Sequence, residues 1–208
     1  MTYKDFTLDT IRDKFHITTY QDKFFDEVES VAPTAWLLET LSKNRKMPVK
    51  SEKARSELIV SPILVELSLR NEDFLTFFSG ERFNVDAKLG LKGECDFIIT
   101  QNSKSYIIEA PIFTIVEAKK QDLDLGLGQC TAQMIAARMF NKNNNIDITE
   151  MYGCVTSGDN WRFLRLKDNV LHIDEEIYNL KELPLLLGVF QKIIDFYKAA
   201  VLQNKQDK

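Results

Sequence analysis

The chain has 208 residues, of which 44% are hydrophobic and 28% charged, and its formal net charge is −4. That size suits one domain with a real core, and both fractions lie near the globular average, which excludes a fibrous or disordered bulk. No apolar run approaches the roughly 20 residues of a membrane span, and the acidic balance argues against coating nucleic acid by charge alone while leaving room for an enzyme with one basic groove.

The first fifty residues read as short helices, a helical extension (1–50) packed on a core of 51–208, the whole forming a single domain. Leu8, Ile11 and Phe15 recur at helical spacing. A second helix is expected over Gln21–Val31, and a third over Thr34–Leu41, just after Pro33. Ser42–Arg55 is polar and basic, is broken by Pro48, and begins as a loop. Ser51 can cap a helix over Glu52–Leu69, which Pro62 should bend or split. Strand signals appear at Phe83–Asp86 and Leu91–Thr100, with Gly90 and Gly93 as punctuation, then a turn at 101–104. Ser105–Lys119 reads as strand again, interrupted at Pro111. Gly126 and Gly128 open a helix over Gln129–Phe140, and Asn141–Asn145 is a loop. Three more strands are expected at Tyr152–Thr156, Trp161–Leu166 and Val170–Ile173, before a long helix over Leu183–Leu202. The order predicts a mixed α/β domain with a sheet flanked by helices.

Cys95, Cys130 and Cys154 are odd in number and form no CxxC pair, as expected of reduced, buried thiols in a cytoplasmic protein. The charged start carries no apolar signal segment. His16 and His172 stand alone, so no histidine metal site is suggested.

The chemistry concentrates in FTIVEAKK, Phe113–Lys120. Residues i and i+2 of a strand share a face, so Glu117 and Lys119 point together. Ile112, Phe113, Ile115 and Val116 are apolar on both faces, as in a strand covered on both sides. A Glu and a Lys ending such a strand are costly to bury unless they pair or bind something. Upstream, Asp96 in GECDFIIT interrupts a similarly apolar run. Two strand-borne carboxylates lying side by side would suit Mg²⁺ or Mn²⁺ and repel each other without a cation. On the preceding helix, at about 100° per residue, Glu52, Arg55, Glu66 and Arg70 share a polar face and Glu57 lies nearly opposite, where a carboxylate needs a partner.

GECDFII followed by APIFTIVEAKK resembles the PD-(D/E)XK nuclease superfamily, the restriction-endonuclease-like fold. Asp96 matches the first acid of its motif, and Glu117 and Lys119 match the acid-x-lysine. Cys95 stands where some members carry the motif's proline. Glu57 is the favoured match for a glutamate that the family often adds from the helix before the sheet. Gln129 and Gln133 are candidates for a glutamine on the helix after it. The resemblance spans roughly Ser51–Phe140. It implies a mixed central sheet flanked by helices and metal-dependent phosphodiester hydrolysis, on DNA rather than RNA. Asp96 and Glu117, with Glu57, would hold Mg²⁺ or Mn²⁺; Lys119 would orient water or stabilise developing charge; Gln133 or Gln129 would position the lysine. Nucleic acid is the implied partner, without a membrane, and a homodimer is expected by analogy with enzymes that cut two strands.

Blander readings stand beside these. Glu117 and Lys119 can be a solvated edge pair, Asp96 a strand start near a turn, Glu57 a salt-bridge partner, and the two glutamines ordinary polar helix positions. Lys43, Arg45, Lys46, Lys50, Lys53 and Arg55 are either solvated surface or phosphate contacts. Trp161, Arg162, Arg165 and Lys167 form either a half-packed strand or a nucleic-acid platform. The same scaffold without chemistry would be a nucleic-acid- or protein-binding module.

Overall fold

A computed structural model describes residues 1–101, 105–119 and 122–206, with backbone alone for 202–206. An open, mixed sheet lies between helices. Its strands are β1 (Thr18–Asp22), β2 (Leu75–Arg82), β3 (Glu94–Gln101), β4 (Ile112–Ala118), β5 (Glu150–Thr156), β6 (Asn160–Lys167), β7 (Val170–Asp174) and β8 (Tyr178–Asn179). They run in the order β1-β7-β6-β5-β4-β3-β2, with β8 paired to β6. The β4–β5 and β1–β7 pairs are parallel and the rest antiparallel. The helices are α1 (Leu8–Phe15), α2 (Ala35–Asn44), α3 (Glu52–Arg55), α4 (Ser61–Arg70), α5 (Asp124–Asn143) and α6 (Leu183–Gln206).

Two neighbouring residues of β5 identify the layers. Gly153 lies against Met134 and Cys130 of α5. Tyr152 meets Phe196 and Tyr197 of α6 at ring separations of 5.6 and 6.0 Å. Adjacent strand residues point to opposite faces, so α5 and α6 cover opposite sides. β4 lies between them and is buried at every position, which its unbroken apolar run requires. The β3–β4 register steps from Ile99–Thr114 to Thr100–Ile112, skipping Phe113. That irregularity leaves the Phe113 ring stacked on Phe74 at 5.1 Å and on Tyr197 at 4.7 Å. At its start, β4 is tied to α5 by a side chain. Asn141 Oδ1 accepts the Ile112 N–H at 2.7 Å, and its Nδ2 donates to the Ile112 carbonyl at 2.8 Å. Asn141 was expected in a loop but is the buried last turn of α5.

Four expectations about the elements are corrected. Gln21–Val31 is not a helix: β1 ends at Asp22 and gives way to an irregular chain. Phe24, Phe25, Val28 and Val31 pack singly against the core, so their near-helical spacing reflects contacts, not a helix. The segment 1–50 is therefore not all helical, and it gives a strand to the sheet. The strand expected at Phe83–Asp86 lies earlier, as β2, an edge strand that contains Gly80 (φ +68°). Residues 105–111 lie outside β4, which starts after a cis Ala110–Pro111 bond.

The fourth lies in the helix carrying Glu57. α3 and α4 are joined by a π turn, Ser56–Val60, in which the Ser61 N–H reaches the Ser56 carbonyl. Pro62 has no N–H to give the Leu58 carbonyl, which instead accepts Asn44 Nδ2 at 2.8 Å. The wide turn takes up an extra residue and rotates α4 by about 100° relative to a regular helix. Glu66, expected on the wet face, is consequently only 2% exposed. Glu57, expected to face inward, has a side chain 62% exposed, 3.8 Å from Lys53.

Candidate active site

The β3–β4 ladder sets Phe97 opposite Val116. One step further, Asp96 comes opposite Glu117, and alternation sends both side chains to the α5 face. Asp96 Oδ2 accepts the Ala118 N–H at 2.7 Å, so a side chain closes the end of the ladder. The Lys119 N–H continues the pairing to the Thr156 carbonyl at 2.7 Å. Its side chain folds back: Nζ donates to Glu117 Oε1 at 3.0 Å and to Gln129 Oε1 at 2.9 Å. Gln133, one turn along α5, donates Nε2 to Glu117 Oε2 at 2.9 Å.

α5 comes this close because two positions carry no side chain. A Cβ on Gly126 would lie 2.5 Å from Val155 Cγ1 and 3.0 Å from Lys119 Cγ. One on Gly128 would lie 2.5 Å from the Phe6 carbonyl oxygen. These glycines are therefore inside a helix that starts at Asp124, not a break before it.

Glu117 is 2% exposed. Burial first, and the Asp96 charge second, push its carboxyl up to about 7, against the pull of Lys119 and Gln133. Burial also raises Asp96, opposed by the Ala118 N–H, Lys119 and Lys4 and reinforced by Glu52. The thiols of Cys95 and Cys130 lie within reach of the Glu117 charge and are driven upward, mainly by burial, so both are neutral neighbours. Gln133 Oε1 is buried without a partner among the described residues. Two carboxylates against one ammonium leave this cluster short of positive charge. Its donors are oxygens, which suit a hard divalent cation. Among the described residues no group of three or more His, Cys, Asp or Glu could hold a metal. Two carboxylates still suffice for Mg²⁺, which keeps waters and binds substrate phosphate.

Asp96, Glu117, Lys119, Gln129 and Gln133 thus come together, and Glu57 does not join them. The helix acid whose charge reaches Asp96 is Glu52, in the first turn of α3 behind the Ser51 cap (Oγ to the Ala54 N–H, 3.0 Å). An acid there reads as an ordinary helix-dipole partner, so nothing in the sequence marked it. Lys120 lies outside the described residues, as does the turn at 102–104. In the basic stretch, Lys43 pairs with Glu39 and Arg55 with Asp159, while Arg45, Lys46 and Lys50 have no ion pair among the described residues. Trp161 is fully buried against Phe190 at 5.7 Å, so it offers no stacking platform for bases.

The protein is a mixed α/β domain with an open mixed sheet flanked by helices, carrying two facing carboxylates and a lysine at one end of its central strands. No helix among the described residues is long and apolar enough to cross a membrane. No protein-family model, curated protein or solved structure matches the chain.

Proposed function

We propose that the chain is a metal-dependent nuclease of the PD-(D/E)XK, restriction-endonuclease-like class that hydrolyses phosphodiester bonds, with DNA as its substrate. The observation that carries the proposal is the meeting of Asp96, Glu117 and Lys119 from two adjacent strands, under Gln129 and Gln133 of α5. Mg²⁺ or Mn²⁺ held by Asp96 and Glu117 would polarise the phosphate and lower the pKa of an attacking water. Asp96 keeps its strand position through the Ala118 N–H, and its other oxygen accepts no hydrogen bond among the described residues. Lys119, steadied by Gln129, brings a positive charge to where negative charge grows on the phosphate. Gln133 positions Glu117 and touches no reacting atom. The three free, buried cysteines fit a reducing compartment, in keeping with a cytoplasmic enzyme, and cutting both strands would call for a homodimer.

The test is a cleavage assay on single- and double-stranded DNA and RNA with Mg²⁺ or Mn²⁺. Asp96→Ala and Lys119→Ala should each lower the rate on the order of 10²–10³-fold, while melting stays near wild type. Equal residual activity in all three proteins is contamination and ends the proposal. A second reading, a binding module without chemistry, is favoured by one contact: the Lys119 ammonium already occupies an oxygen of Glu117 that a cation would use. Wild type that binds oligonucleotides and cuts none with either ion selects that reading.

A further inference from the structure

Two residues before Asp96 on β3, Glu94 borders a recess of about 360 Å³ whose lining includes Thr2, Lys4, Arg82, Asn84 and Lys92. Its walls are fixed by the fold. The buried Tyr3 donates its hydroxyl to the Phe83 carbonyl at 2.7 Å, and its N–H bonds the Lys92 carbonyl at 3.1 Å. Those two bonds clamp the N-terminal segment, and with it Lys4, to the β2–β3 hairpin. Asn84 Oδ1 accepts the Gly93 N–H at 3.0 Å and closes the hairpin end. Arg82 is the cross-strand partner of Glu94, so the two share a face of the sheet. Asp96 is two residues beyond Glu94 on that same face, roughly 7 Å along the strand.

Lys4, Arg82 and Lys92 have no ion-pair partner among the described residues, and Glu94 is the one carboxylate in the lining. Lys4 also lies close enough to Asp96 for its charge to favour that carboxylate. Three cations against one carboxylate therefore line this recess, next to a carboxylate cluster that is itself short of positive charge. Some cations elsewhere pair locally, as Lys43 with Glu39 and Arg162 with Asp124, and others, such as Arg45 and Lys50, have no ion pair among the described residues; what sets these three apart is that they line one recess. In a chain of net charge −4, a basic cluster two strand residues from Asp96 is where an anionic polymer would lie.

We infer that Lys4, Arg82 and Lys92 form a subsite for the internal backbone phosphates of the nucleic-acid strand, next to the bond to be cut. The inference rests on the nuclease proposal and extends it to how the strand is held. Contacts to phosphate carry no sequence information, so this subsite fixes the register of the strand over Asp96 and Glu117 without selecting bases.

The experiment measures binding of a labelled single-stranded DNA oligonucleotide in EDTA, and cleavage of the same strand with Mg²⁺. It compares wild type, the triple variant Lys4→Ala/Arg82→Ala/Lys92→Ala, and a control of equal charge loss, Lys23→Ala/Lys142→Ala/Lys181→Ala. Removing three phosphate contacts should weaken binding on the order of tenfold to a hundredfold near 0.1 M salt and flatten the log–log salt slope by about 2. The control should change affinity much less, melting should be alike in all three, and a terminal phosphate should not alter the wild-type affinity. An equal loss in triple and control, an unchanged salt slope, or a requirement for a terminal phosphate overturns the subsite. If wild type cuts the strand and the triple variant binds and cuts as well as wild type, the subsite falls and the nuclease proposal stands. If wild type neither binds nor cuts, both fall.

Discussion

Glu117 and Glu66 are each 2% exposed, yet their surroundings push them in opposite directions. Glu66 accepts the Thr34 N–H at 3.1 Å, the Thr34 hydroxyl at 2.6 Å and Arg70 Nε at 2.7 Å. Burial is the largest single influence on it and acts upward, but these bonds together outweigh it and hold the carboxyl below its usual range. Glu117 is deep, receives two hydrogen bonds, and faces a second carboxylate, so it rises. The difference teaches that burial alone does not decide which way a carboxyl is pushed; its partners do. Glu66 has every need met and ties the start of α2 to α4, whereas Glu117 is held in place but left short of positive charge.

The largest stability effect is expected from the satisfied carboxylate. Glu66→Ala strands the Thr34 N–H and the Arg70 guanidinium and should cost about 2–4 kcal/mol, visible as a fall of roughly 5–10 °C in Tm. Cleavage per folded molecule should be unchanged, and a loss of activity instead would blur the contrast.

The pH dependence separates the two acids by sign. For Glu117 the folded pKa of about 7 lies above the unfolded value near 4.5, so the native state holds an extra proton between them. Stability should therefore fall as pH rises through that window, by up to about 3 kcal/mol. Glu117→Gln removes this slope and should be more stable than wild type at about pH 8, with the gap closing toward about pH 4. Glu66 behaves oppositely: its contribution is present above the unfolded pKa and is lost as pH falls through the lower folded one. Chemical denaturation across the pH range reads both, and parallel slopes for Glu117→Gln and wild type would break the comparison.

A smaller effect is expected at Gly126. Gly126→Ala must displace Val155 or the Lys119 stem and should cost about 1–3 kcal/mol, with cleavage falling more than melting predicts because Lys119 moves. The smallest is at Glu57: Glu57→Ala should stay within about 0.5 kcal/mol and leave cleavage unaltered, since its side chain is largely in water.

Much of the site was legible because it obeys strand arithmetic. Period two put Glu117 and Lys119 on one face, and the apolar run around them required a covered strand. The same local logic failed at Glu57 and Glu66. A single π turn around Pro62 changes the phase of the helix, and apolar spacing carries no trace of one extra residue. Phe24, Phe25, Val28 and Val31 misled in the same way, since separate contacts with the core can imitate helical spacing.

By itself, then, the sequence determined most of the order of helices and strands, the buried central strand, and the shared face of Glu117 and Lys119, because each arises from periodicity and the cost of burying charge. Only the tertiary structure decided which acid of α3 reaches Asp96, that Gln129 holds the lysine while Gln133 holds the glutamate, and that Lys4, from the first residues of the chain, stands beside them. Those relations join residues distant in sequence, and only the packing of α3, α5 and the N-terminal segment against the sheet brings them together.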